Sequence, residues 1–135
     1  MIFLLDSSTF SQLMRSHPRA TAALAALDPT DRVVICTTVR GEILYGLERL
    51  PRGRRRDQLA RAARPLFAAI PCESIPETAA DVYAKIKRGQ QQRGLSLDEN
   101  DLWIAATASA LGATLVTSDN DFRRIPGLRT LAWTA

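Results

Sequence analysis

Four acidic residues stand where side-chain type and spacing could do chemistry: Asp6, Glu42, Asp101 and Asp119. Asp6 closes the short apolar run Ile2-Phe3-Leu4-Leu5, and Asp119 follows a second run, Thr114-Leu115-Val116-Thr117. In open parallel sheets, sites form in the crevice beyond the carboxyl ends of the strands, so both carboxylates could face one crevice. An Asp after a strand is also a common turn or helix cap, and one alone is weak evidence. Glu42 lies early in a helical pattern, on the flank of the apolar stripe Val39, Ile43, Gly46, Leu47 and Leu50. A first-turn acid complementing the helix dipole is the simpler account there. Asp101 opens a stretch that is apolar almost all round: Leu102, Trp103, Ile104, Ala105, Ala106, Ala108, Ala110 and Leu111. Such a helix is buried, and a buried acid needs a partner or a metal. Of Asp98, Glu99 and Asp101, Asp101 is the hardest to explain as a cap.

As a set these are hard oxygen donors with no histidine or thiolate among them, which suits Mg2+ or Mn2+. Grouped carboxylates repel one another unless a cation neutralises them. A cation held there can activate water and stabilise charge on a phosphoryl oxygen. Zinc is excluded on ligand count, because His17 is the only histidine and Cys36 and Cys72 lie far apart without ligand spacing. Both cysteines sit in apolar, strand-like stretches and are expected to be buried free thiols.

The net charge of +4 is unevenly spread. Arg49, Arg52, Arg54, Arg55, Arg56, Arg61 and Arg64 form one basic stretch, and Lys85, Lys87, Arg88 and Arg93 a second. Either a polyanion or plain solvation of helix faces accounts for such clusters. Arg52, Arg54, Arg55 and Arg56 are the candidates for contact with a nucleic-acid backbone or a protein partner.

The elements that would position these residues read as alternating strands and helices. Strands are expected at 2–5, 33–36, 72–75 and 114–117, with a final edge strand at 131–133. Helices are expected after Asp6, over 18–27, from Val39 to about Leu50, over 54–70, from Pro76-Glu77 to about Arg93, and from Ser96-Leu97-Asp98-Glu99 to Leu111. Thr37 or Thr38 is expected to cap the third helix, and Ser96 with Glu99 has the form of a capping box. Asp98 and Asp121 read as caps outside the acidic set. His17-Pro18 reads as the surface start of the second helix, without a catalytic role. With 135 residues, the pattern predicts one three-layer α/β/α domain over 1–135, built on a parallel sheet of about five strands. The apolar runs are too short to span a bilayer, and the N-terminal run lacks a basic leader and stops at Asp6. A cytoplasmic protein is expected.

Four stretches resemble the PIN-domain nucleases, specifically the VapC toxins of type II toxin–antitoxin systems and their FitB-like relatives. They are Ile2-Phe3-Leu4-Leu5-Asp6-Ser7-Ser8, Thr37-Thr38-Val39-Arg40-Gly41-Glu42-Ile43-Leu44-Tyr45-Gly46, Asn100-Asp101-Leu102-Trp103-Ile104-Ala105-Ala106 and Leu115-Val116-Thr117-Ser118-Asp119-Asn120-Asp121-Phe122. Each is modestly specific alone, but all four occur in the family's order and spacing, across essentially the whole chain. The resemblance implies a PIN fold with metal-binding acids at Asp6, Glu42, Asp101 and, more variably, Asp119. It implies Mg2+- or Mn2+-dependent cleavage of RNA, possible targets being transfer or ribosomal RNA. It also implies a VapB-like antitoxin laid across the acidic pocket, operator DNA bound only through that antitoxin, and a homodimer. The hydroxyl position after the first acid falls on Ser7 or Ser8, where many relatives have Thr-Asn.

Other classes fit less well. A catalytically silent PIN domain, acting as a binding module in an antitoxin or DNA complex, would not need all four acids. A phosphatase wants a second acid in Asp6-Ser7-Ser8, and a receiver domain wants paired acids there and a lysine after a late strand; the chain has neither. A metal–carboxylate site does not itself separate RNA from DNA, because no residue pattern here reports a 2′-hydroxyl.

Overall fold

In a computed structural model describing residues 1–134, five short strands form one all-parallel sheet. They are β1 (Ile2–Leu5), β2 (Arg32–Cys36), β3 (Cys72–Glu73), β4 (Thr114–Val116) and β5 (Thr130–Leu131), in the order β3-β2-β1-β4-β5. Six helices connect them: α1 (Ser7–Met14), α2 (Pro18–Ala25), α3 (Thr37–Glu48), α4 (Arg54–Ala69), α5 (Thr78–Gln92) and α6 (Glu99–Ala110). A short 3-10 turn, Asn120–Arg124, precedes β5.

The sheet's middle is apolar on both faces, which requires cover on both. Leu4, Leu5, Val34, Ile35, Leu115 and Val116 are fully buried. From β1 the chain first moves one way, to β2 and β3, then crosses to β4 and β5 on the other side. Right-handed crossovers taken in opposite directions put their helices on opposite faces. On one side Phe10 of α1 stacks on Phe67 of α4 with ring centroids 5.0 Å apart. On the other, Tyr83 of α5 and Trp103 of α6 stack at 4.1 Å. The reversal of direction lies between β1 and β4, where Leu5 is in register with Val116. The crevice at their carboxyl ends is thus the place where the fold opens for a ligand.

Element boundaries differ from expectation mainly at the sheet edges. β3 ends at Glu73 rather than at position 75, and β5 spans Thr130–Leu131 rather than 131–133. Each edge strand has one neighbour, so pairing ends as soon as that neighbour diverges. Neither threonine caps α3: Cys36 ends β2 and is itself the N-cap, so Thr37 and Thr38 fall inside the helix. The cap of α6 is Asp98, whose side chain accepts from the Asn100 amide at 2.8 Å. Ser96 lies before it, and Glu99 is taken by Tyr83 and Lys87 instead of closing a capping box. Cys36 is buried and free as expected, but Cys72 is exposed. β3 is an outer strand, so the face carrying Cys72 is not covered.

Candidate active site

Asp6 follows β1 directly, and its amide continues the sheet by donating to the Val116 carbonyl at 3.1 Å. The residue is buried, and one carboxylate oxygen caps α1 by accepting from the Thr9 amide at 2.8 Å. Thr9 is also buried, and its hydroxyl donates to the Val116 carbonyl at 3.0 Å. The turn that fixes Asp6 is therefore bolted to β4. Capping and a role in the crevice do not compete, because a carboxylate has two oxygens.

Glu42 comes from the second turn of α3 and is held by two neighbours of the other acids. The Ser7 hydroxyl donates to its Oε1 at 2.6 Å, and the Asn100 amide group donates to its Oε2 at 3.4 Å. Sequence reasoning singled out neither contact, although Ser7 adjoins Asp6 and Asn100 adjoins Asp101. That adjacency was the available signal.

Asp101, in the first turn of α6, is half-buried while the helix behind it is buried from Leu102 to Ala108 apart from Trp103. Burial is the main cause that pushes its carboxyl up from the ordinary 3.8 to about 6, followed by the charges of Asp98, Glu42, Asp119 and Asp6. Five carboxylates thus share one field. Asp98, expected only as a cap, acts on Asp101 more strongly than the other three acids do.

Asp119 is exposed and caps the 3-10 turn by accepting from the Asp121 amide at 2.9 Å; its own amide donates to the Thr117 hydroxyl at 3.0 Å. The cap is thus Asp119 rather than Asp121, which lies 4.0 Å from Arg124. No ion pair among the described residues involves Asp6, Glu42, Asp101 or Asp119. Their donor chemistry fits a hard divalent cation, and no ion pair among the described residues offsets their mutual repulsion. Yet among the described residues no three acidic, histidine or cysteine side chains stand close enough to hold a metal as oriented. Asp6, Glu42 and Asp119 lie near enough to Asp101 to act on its carboxyl without forming a closed ligand set.

The expected nucleic-acid contacts separate. Arg56 pairs with Glu48 at 3.4 Å. Arg54 sits with Arg61 at a shallow hollow, Arg52 is exposed before α4, and Arg55 faces a groove beside Glu42. His17 caps α2 through Nδ1, which accepts from the Arg19 amide at 3.2 Å.

A model of the PIN domain family matches residues 3–128. The chain is 29% identical over 136 residues to Ribonuclease VapC1 of Haemophilus influenzae, covering 99% of both chains. It is 30% identical over 126 residues to Toxin FitB of Neisseria gonorrhoeae, covering 87% of this chain and 88% of that one. Among solved structures, VapBC2 of Rickettsia felis bound to a promoter DNA fragment superposes with a TM-score of 0.89, at 26% identity and with 98% and 99% of the chains covered. The chain belongs to the PIN-domain family, and its relatives are toxins of the VapC and FitB kind. No helix among the described residues is long and apolar enough to cross a membrane.

Proposed function

We propose that the chain is a metal-dependent endoribonuclease, the toxin of a VapBC-type pair acting in the cytoplasm. One observation carries this reading: burial and four neighbouring carboxylates raise Asp101 to about 6, while none of Asp6, Glu42, Asp101 and Asp119 has a cationic partner among the described residues. Asp6, Glu42, Asp101 and Asp119 would hold Mg2+ or Mn2+. When bound, the cation would supply an activated water and neutralise charge developing on a phosphoryl oxygen. Asp6 is fixed by its cap to α1, and Asp101 stands against a rigid, buried helix, so neither has far to move. Ser7 and Asn100 keep Glu42 turned toward its neighbours. Asp119, on the exposed turn, completes the ring from the solvent side.

The relatives' names, ribonuclease and toxin, support the substrate class, and the VapBC complex supports a small antitoxin as partner, with promoter DNA reached through it. The test is cleavage of RNA by the purified chain with Mg2+ or Mn2+ and with EDTA, beside Asp6→Asn and Asp101→Asn. Cleavage that needs the cation and both acids is expected; variants as active as the wild type would sink the assignment. The spread of the acids, no three of which form a ready metal group, favours a second reading, a catalytically silent PIN domain that only binds within a complex. Absence of cleavage with either cation, together with intact antitoxin binding, would select it.

A further inference from the structure

A groove of about 590 Å³ opens beside Glu42 and runs between α1, α3 and α4. Its volume falls within the roughly 300–1,000 Å³ of established ligand sites. At the crevice end stand Ser7 and Glu42, joined by their hydrogen bond. Along one wall stand Ser8, Ser11 and Gln12 of α1 and Arg15, just beyond it; the other walls bring Arg49, just beyond α3, and Arg55 of α4. None of these three arginines forms an ion pair among the described residues, and Arg49 instead lies 6.0 Å from the Tyr45 ring. The floor is aliphatic, with Ile43, Leu47 and Leu59 among its residues.

Three guanidiniums without an ion pair among the described residues outnumber Glu42, the one carboxylate lining the groove, so a further anion would complete the arrangement. The groove is also continuous with the acidic crevice, so its occupant extends from whatever lies there. We propose that this groove is the track for single-stranded RNA on one side of the cleaved phosphate. Arg15, Arg49 and Arg55 grip successive backbone phosphates, Ser8, Ser11 and Gln12 offer neutral hydrogen bonds, and the aliphatic floor takes base faces. This rests on the nuclease reading for its chemistry, but not for its binding. It also divides the basic stretch on α4: Arg55 belongs to the track, whereas Arg54 and Arg61 line a separate hollow and Arg56 is engaged by Glu48.

Binding is measured in EDTA, so that cleavage cannot intrude, by fluorescence anisotropy of a labelled single-stranded RNA of about ten nucleotides, within the ~4–16-nucleotide footprints of such sites. Arg15→Gln, Arg49→Gln and Arg55→Gln should each weaken binding several-fold and lower the slope of log affinity against log salt by about 0.7, one phosphate contact each on a single strand. Arg54→Gln and Arg61→Gln should leave both unchanged. Gly46→Leu fills the groove from α3, where an added Cβ meets nothing within 4 Å, and should abolish binding while the far-ultraviolet spectrum stays native. Wild-type affinity and slope in the three arginine variants would overturn the track, as would variants that lose only the protein partner, which would make the groove a peptide seat. Cleavage by the wild type, checked separately with Mn2+ and Asp6→Asn, keeps the two readings apart. A chain that cleaves RNA but binds it without these arginines loses only the track, and one that binds through them without cleaving loses only the nuclease.

Discussion

Asp101 illustrates how a single side chain can cost stability where it is proposed to serve function. Its carboxyl is raised by burial and by neighbouring acids from 3.8 to about 6, so the folded chain holds that proton more tightly than the unfolded chain does. Unfolding free energy therefore falls as pH rises from about 4 to about 6, and the deficit persists above that window. Asp101→Asn removes the charge and should stabilise the cation-free protein at pH 7.5 by on the order of 1 kcal/mol, allowing for the water that screens a half-buried group. The gain should vanish near pH 4. Urea unfolding in EDTA at both pH values checks this, and a variant less stable than wild type at pH 7.5 contradicts it. Glu42 supplies a second test at this scale. If Ser7 and Asn100 orient it, Ser7→Ala with Asn100→Ala should weaken Mn2+ binding about tenfold, the usual cost of removing outer partners of a ligand. An unchanged Mn2+ isotherm, read by electron paramagnetic resonance, would make these bonds incidental.

At the scale of elements, Asp6 joins β1 to α1 and is both cap and candidate ligand, and the two roles separate by substitution. Asp6→Asn keeps a side-chain oxygen for the Thr9 amide and should unfold within a few tenths of a kcal/mol of wild type, whereas Asp6→Ala should lose about 1 kcal/mol through the cap. RNA cleavage should disappear in both. Equal melting of the two variants would show that the cap contributes little. The order of strands and helices was legible because periodicity reports burial: the run ending at Asp6 and the all-round apolar stretch after Asp101 are buried as expected. Caps were less legible. A threonine caps only from the N-cap position itself, and β2 runs on through Cys36 to occupy that position, so Thr37 and Thr38 fall inside α3. Edge strands were also overextended, since their length depends on a partner strand that local sequence does not describe. The meeting of the acids could be argued from strand ends, but Ser7 and Asn100 as holders of Glu42 depend on side-chain directions across 35 and 58 residues of chain. Asp98 as the strongest charge on Asp101 is a local effect, three residues away at the start of α6.

For the whole molecule, the sheet's reversal gathers acids from both ends of the chain at one edge, with arginines that form no ion pair among the described residues in the adjoining groove. Repulsion among those acids opposes folding until a cation joins them, so stability and cation binding are linked. At a cation concentration 100 times its Kd the native state gains about 2.7 kcal/mol, more than the roughly 1 kcal/mol that Asp101 costs without it. Asp101→Asn should gain little, having lost a ligand. The order of stability is then expected to invert: the variant is the more stable protein in EDTA, and the wild type is the more stable in saturating Mn2+. Urea midpoints for both proteins across a Mn2+ titration measure this directly. Two parallel lines that never cross would mean that Asp101 lies outside the cation's reach and that its strained carboxyl has some other cause. A crossing links the stability lost at Asp101 to the ion that the acidic edge is proposed to hold.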